Sequence, residues 1–245
     1  MVPYMEECVS FPSGPLILEG VLAYPAHGEP SARVLLLAPH PHMGGNMDNN
    51  LVRYIACRAS EDGAATMRFN YRGVGRSQIR LAPDIPLFDH WSAMERDKRY
   101  DEILPDAINA LQALIGFVPG AASIFVIGYS LGAILAGMLA GHLRQNQRLS
   151  EAVSRVAGIS PPTKRVSLAG FAGVSVPKLF VAGDRDFAFD KARFQREAAG
   201  LPGETSFVEL AGSDHFFRQE EDRVYAVIAP FLAACHGPDI RTGSR

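Results

Sequence analysis

AASIFVIGYSLGAILAGMLAGHL, residues 121–143, decides between two architectures. The stretch carries no charged residue and is long enough to span a bilayer as a single helix. Its two G-x-x-x-G spacings, Gly128/Gly132 and Gly137/Gly141, would suit the contact face of a membrane helix dimer. The competing reading is a buried strand, a sharp turn and a buried helix in succession. The β-branched run SIFVI ahead of a glycine-flanked serine favours that second reading. In Gly128-Tyr129-Ser130-Leu131-Gly132, small residues two before and two after the serine let strand and helix approach closely. Such a turn projects the serine hydroxyl from the sheet edge. The helix that follows aims its N-terminus at the same point, where negative charge is favoured.

Outward from this stretch, apolar runs alternate with helical patterns. Residues 9–24 hold two strand-like runs around a Pro/Gly turn. RVLLLA at 33–38 is a continuous apolar run, as expected of a parallel strand covered on both faces. Turn formers follow, and helical spacing returns at 51–59. Residues 64–69 read as a strand and NYRGVGRS as a loop. Residues 78–97, with two prolines and no clean period, read as an irregular excursion. A helix is expected over about 98–117, with Pro105 marking a start or kink. Beyond Ser130 come a helix to about 148, strands at 153–159, 178–182 and 206–210, and helices at about 190–199 and 220–234. This alternation implies an α/β fold with a mostly parallel sheet flanked by helices. One domain over 1–245 is expected, with 235–245 a disordered tail.

A serine hydroxyl is a poor nucleophile at neutral pH and needs a base, itself oriented by an acid. Catalytic groups of such sheets gather at strand ends. Asp186 follows the strand LFVA in GDRD, and His215 follows the last strand in GSDHF. Asp184 and, further behind, Asp190 are rivals for the acid. His40, His42, His90, His142 and His236 are rivals for the base, but none lies in a loop after the last strand, where the base belongs. The developing oxyanion needs two backbone N–H donors. One is expected from Leu131 and the other from the loop PHPHMGG, residues 39–45. Pro39 and Pro41 have no N–H, so His40 comes first and His42 second. A metal site built from His40, His42 and Asp48 is the competing reading; H-x-H is a weak metal signal, and a serine mechanism needs neither metal nor cofactor.

Composition narrows the class further. The 245 residues are 47% hydrophobic and 20% charged, with a formal net charge of -2. That balance suits a globular core and gives no reason to expect nucleic acid or an anionic membrane as partner. The three cysteines, Cys8, Cys57 and Cys235, are scattered, as expected of reduced thiols in a cytoplasmic protein. The acidic N-terminus lacks the apolar core of a signal peptide.

With these residues in place, the chain from about 16 to 232 resembles the α/β-hydrolase superfamily. PHPHMGGNMDN, RFNYRGVGRS and GYSLG resemble a group of small bacterial serine esterases and hydrolases related to dienelactone hydrolase. That group has H-P-H-P before its two glycines, where this chain has Ala38 in the first position. The dienelactone enzymes use a cysteine nucleophile; Ser130 stands here, so their activity does not carry over. Arg72, Gly73 and Gly75 match the group's R-G-x-G-x-S turn, read as a structural turn with a paired arginine rather than a phosphate loop. Only 160–176 is available for a cap, so the cap is expected to be minimal. Phe88 and Trp91, with His42 and Tyr129, are candidate substrate contacts.

The expected activity is hydrolysis of a small-molecule carboxylic ester or thioester through an acyl-enzyme. Ser130 is the nucleophile, His215 the base and Asp186 its orienting acid. Acyl transfer, lactone opening or peptide cleavage by the same triad stays open, as do a non-catalytic binding protein on this fold and a homodimeric state.

Overall fold

The computed structural model describes residues 2–120, 123–143 and 153–233. Its frame is an eight-stranded sheet in the order β1-β2-β4-β3-β5-β6-β7-β8. β1 (Tyr4–Ser13) and β2 (Leu16–Pro25) form a hairpin, and β2 also runs antiparallel to β4 (Ala65–Phe69). β3 (Arg33–Leu37), β5 (Ile124–Tyr129), β6 (Val153–Ile159), β7 (Lys178–Gly183) and β8 (Thr205–Leu210) continue the sheet in parallel with β4. Every residue of β3, β4 and β5 is buried; β3 after Arg33 and β5 read as apolar runs, while β4 also buries Thr66 and Arg68.

Six helices flank this sheet among the described residues: α1 (Asn50–Glu61), α2 (Leu87–Asp97), α3 (Leu104–Phe117), α4 (Leu131–Leu143), α5 (Lys191–Ala198) and α6 (Glu221–Ala233). This is the α/β-hydrolase architecture. Residues 121–143 divide, where described, into β5 and α4, and no helix among the described residues is long and apolar enough to cross a membrane. The second G-x-x-x-G instead lets the turn Leu168–Phe171 pack closely on α4. A Cβ on Gly137 would lie 2.4 Å from the Phe171 ring, and one on Gly141 2.9 Å from the Gly170 carbonyl.

Two boundaries depart from the sequence-based expectation. The excursion 78–97 contains the regular helix α2. Pro83 and Pro86 both precede it, and Pro86 occupies its N-cap position. Only Trp91 and Met94 of this helix are buried, too few to print a period on the sequence. The helix expected over 98–117 starts later, because Pro105 sits in the first turn of α3, where its missing N–H costs nothing. Residues 160–176 form only a minimal cap, as expected; their short helical turn Leu168–Phe171 packs on α4 and leaves the sheet's C-terminal edge open. The expected extension of α4 to 148, Cys235, His236 and the tail 235–245 lie outside the described residues.

Candidate active site

The turn at Ser130 is built by its two glycines. A Cβ on Gly128 would sit 1.9 Å from the Gly132 carbonyl oxygen, and one on Gly132 would sit 2.1 Å from the Leu37 carbonyl oxygen. Only hydrogen at both positions lets β3, β5 and α4 meet this closely. Between them Ser130 holds φ at +55°, a left-handed conformation unusual for a side-chain-bearing residue. Its N–H donates to the Ile159 carbonyl at 2.8 Å, which ties the turn to β6.

His215 enters from the β8–α6 loop. That loop is pulled in where Gly183 leaves β7, since a Cβ there would lie 2.1 Å from the Ser213 carbonyl oxygen. The Tyr129 hydroxyl donates to the His215 carbonyl, and Asp214 Oδ1 accepts from the N–H groups of Phe216 and Phe217. So fixed, His215 Nε2 lies 3.1 Å from Ser130 Oγ, and its Nδ1 lies 2.9 Å from both oxygens of Asp186. All three side chains belong to buried residues. Asp186 is oriented by its own loop, its Oδ1 accepting from Ala188 N–H at 2.7 Å and Phe189 N–H at 3.2 Å. Burial works against its charge, but the hydrogen bond and charge of His215, together with the Ser160 hydroxyl and the Ala188 N–H, outweigh it and hold the carboxyl below the usual aspartate value.

The rival residues have other tasks. Asp184 Oδ1 accepts from Gly212 N–H at 2.7 Å and fastens the β8–α6 loop. Asp190 caps α5 by accepting from Arg193 N–H at 2.9 Å. The rings of His40 and His42 face Trp91 and Phe88 respectively, and Asp48 turns to Arg68 at 3.7 Å. The His40 and His42 rings also meet each other edge-on with centroids 4.9 Å apart, but Asp48 does not join them, and no cluster of three metal-ligating side chains occurs among the described residues.

The loop after β3 is wound tightly around His40. Met43 N–H and Gly45 N–H both donate to the His40 carbonyl, and a Cβ on Gly45 would lie 1.9 Å from the Pro39 carbonyl oxygen. His40 Nδ1 accepts from His42 N–H at 3.2 Å, which places the ring proton on Nε2. Burial pushes the His40 pKa down, so the ring is neutral near pH 7. Two nearby groups secure this region. The Tyr71 hydroxyl donates to the Ala38 carbonyl at 3.0 Å, and Asn70 Oδ1 accepts from Met47 N–H at 2.8 Å.

The R-G-x-G-x-S turn is structural. Arg72 grips the fully buried Asp106 through Nε, an Nη and its own N–H, at 2.7–3.0 Å. Gly75 has φ +57°, and a Cβ there would lie 2.3 Å from Glu19 Oε1.

A cavity of about 290 Å³ opens over Ser130 and His215. His40, His42 and Met43 line it from the loop after β3, Leu131 from α4, and Phe187 and Ala188 from the loop after β7. Glu95 of α2, Tyr100, Pro162 and Arg165 complete the wall. Of the proposed substrate contacts, His42 lines the cavity, and Phe88 stacks on it with ring centroids 4.1 Å apart. Trp91 and Tyr129 are corrections. Both are buried behind the wall, Trp91 edge-on to His40 and Tyr129 beneath His215. Sequence reasoning missed Glu95, Tyr100, Arg165 and Phe187, which lie in segments with no motif. The one usable signal was Phe187, an aromatic residue directly after the candidate acid.

The fold and a serine–histidine–aspartate geometry at its C-terminal sheet edge define a serine hydrolase of the α/β-hydrolase superfamily. Residues 75–224 match the family model described as "Serine hydrolase (FSH1)", and the chain belongs to that family. The matched stretch contains Ser130, Asp186 and His215. An uncharacterized protein of Rickettsia prowazekii, RP471, is 27% identical over 206 residues, covering 81% of this chain and 77% of that protein. An α/β serine hydrolase homologue from Coxiella burnetii superposes with a TM-score of 0.69 at 24% identity, covering 95% of this chain and 99% of the other. XC6422 from Xanthomonas campestris, described as an α/β serine hydrolase without lid, superposes with a TM-score of 0.74 at 19% identity, covering 95% of each chain. A dienelactone hydrolase from Anabaena variabilis gives a TM-score of 0.69 at 16% identity, covering 94% of this chain and 97% of the other.

Proposed function

We propose that this hydrolase cleaves a small carboxylic ester or thioester through an acyl-enzyme, with Ser130, His215 and Asp186 as its triad. The observation that carries the reading is the unbroken relay of contacts, 3.1 Å from Ser130 Oγ to His215 Nε2 and 2.9 Å from Nδ1 to Asp186. Ser130 Oγ attacks the carbonyl carbon while His215 Nε2 takes its proton. Asp186 holds the Nδ1–H tautomer and stabilises the imidazolium. The negative oxygen is received by the Leu131 N–H, which as the first residue of α4 has no intrahelical acceptor, and by the His40 N–H. His215 then returns the proton to the leaving alcohol or thiol. Water, activated by the same imidazole, attacks the acyl-enzyme and regenerates Ser130.

The chemistry asks for no cofactor. The open cavity gives water direct access to the acyl-enzyme, which favours hydrolysis over transfer to another acceptor. The free thiols Cys8 and Cys57 support a cytoplasmic location.

Labelling with a fluorophosphonate probe tests the reading. The native protein is expected to label at Ser130, Ser130→Ala not at all, and His215→Ala at least ~100-fold more slowly. A folded native protein that does not label would sink the proposal.

A further inference from the structure

The cavity has one polar corner. Along α2, Phe88, Trp91 and Glu95 share the face turned to the site: Phe88 stacks on His42, Trp91 meets His40 edge-on, and Glu95 lines the cavity itself. Most of the remaining wall is apolar, from Met43, Leu131, Pro162, Phe187 and Ala188. In such sites a few placed polar groups set orientation and specificity.

Glu95 is held on one side only. Its Oε2 accepts from the hydroxyl of the buried Tyr100 at 2.7 Å. Its Oε1 has looser partners, Lys98 Nζ at 3.4 Å and Arg165 at 3.9 Å. A carboxylate offers about four lone-pair sites, so Oε1 keeps acceptor capacity. Arg165 also lines the cavity; its side chain is 72% exposed, and at 3.9 Å it is not hydrogen-bonded to Glu95. The corner thus offers a fixed acceptor beside a donor free to swing.

We propose that Glu95 and Arg165 form a specificity subsite for esters that carry a neutral hydroxyl, which donates to Glu95 and accepts from Arg165. The inference rests on Ser130 being the nucleophile of this cavity. Charge decides the class of group. The corner carries both signs, so a carboxylate that paired with Arg165 would also face Glu95, and an ammonium that paired with Glu95 would also face Arg165 and Lys98. A hydroxyl satisfies both residues, whereas a plain hydrocarbon leaves Glu95 Oε1 with only its long contacts to Lys98 and Arg165 once water is displaced.

The test compares kcat/KM for esters matched except for one hydroxyl. The acyl pair is the p-nitrophenyl esters of 3-phenylpropanoate and 3-(4-hydroxyphenyl)propanoate. The alcohol pair is the acetates of 2-phenylethanol and 2-(4-hydroxyphenyl)ethanol. The native enzyme is expected to favour the hydroxylated member of one pair by about tenfold. Glu95→Ala and Arg165→Ala are each expected to bring that ratio close to one, and Glu95→Gln, which keeps an acceptor oxygen, to retain most of it. Arg165 is exposed, so its variant reports even if Glu95→Ala fails to fold. Equal turnover within both pairs, or a ratio untouched by both alanine variants, overturns the subsite. So does a faster reaction when the hydroxyl is replaced by an aminomethyl or carboxylate group. A native protein that labels with fluorophosphonate but shows no hydroxyl preference overturns the subsite alone; one that does not label overturns the triad reading with it.

Discussion

At Ser130 a φ of +55° and two glycines with no room for a methyl group show why the motif can be read from sequence. Each of its constraints falls on a residue within two positions of the nucleophile. Asp186 and His215 were legible for a related reason, because each directly follows a strand whose apolar run marks it. Asp106, which holds Arg72, and Glu95, which lines the cavity, were not legible. Asp106 and Arg72 lie on different elements, and what Glu95 faces across the cavity is set by residues far from it in the chain, so local sequence carries no trace of either role. The state of Asp186 has a measurable consequence. Its folded pKa lies below the 3.8 of an unperturbed aspartate, so near pH 3.8 the unfolded chain binds more protons than the folded one. Its ionised form therefore contributes stability that is complete well above pH 3.8 and is lost as pH falls through the lower folded value. Asp186→Asn lacks this contribution. Urea unfolding is expected to show native protein more stable than Asp186→Asn by a constant margin above about pH 5, with the margin shrinking at more acid pH. A margin that stays constant down to acid unfolding would mean that His215 does not hold the carboxyl down.

Among the elements, α1 and α2 make the contrast between legible and hidden structure. α1 starts at a side-chain cap, with Asn49 Oδ1 accepting from Leu51 N–H at 3.2 Å and Val52 N–H at 3.4 Å, and it buries six residues of its twelve at helical spacing. Both signals are visible in the sequence. α2 has no side-chain cap and only two buried positions, Trp91 and Met94, so neither signal exists. The same sparse burial leaves its exposed face free to wall the active site. Asn49→Ala removes the α1 cap without touching the cavity. It is expected to cost about 1 kcal/mol. In a chain of this size that lowers Tm by roughly 2–4 °C, with fluorophosphonate labelling unchanged. A fall in labelling would show that α1 sets the loop 39–45 more directly than these contacts imply.

Across the whole molecule the sheet order places the chemistry. β3 and β5 are neighbours in parallel, so the loop after β3 and the turn after β5 emerge side by side at the same edge. β7 and β8 follow through β6 and bring Asp186 and His215 to that edge. The strand identities were legible, but the order was not. Pairing β4 outside β3 depends on crossovers whose direction no single segment records. The buried apolar residues join in a contiguous cluster, from Phe11 of β1 to Ile228 of α6, spanning both faces of the sheet. The antiparallel hairpin belongs to it through Phe11, which packs edge-on to Phe69 of β4 at 5.7 Å. With no second core among the described residues to melt separately, we infer that the chain unfolds as one cooperative unit. Differential scanning calorimetry is then expected to give a single peak whose van't Hoff and calorimetric enthalpies agree. Two resolved peaks, or a van't Hoff enthalpy well below the calorimetric one, would assign the hairpin or the β7–β8 edge to a separate folding unit. In that case the loop carrying His215 could open without global unfolding, and labelling of Ser130 would fall at a lower temperature than the loss of the main transition.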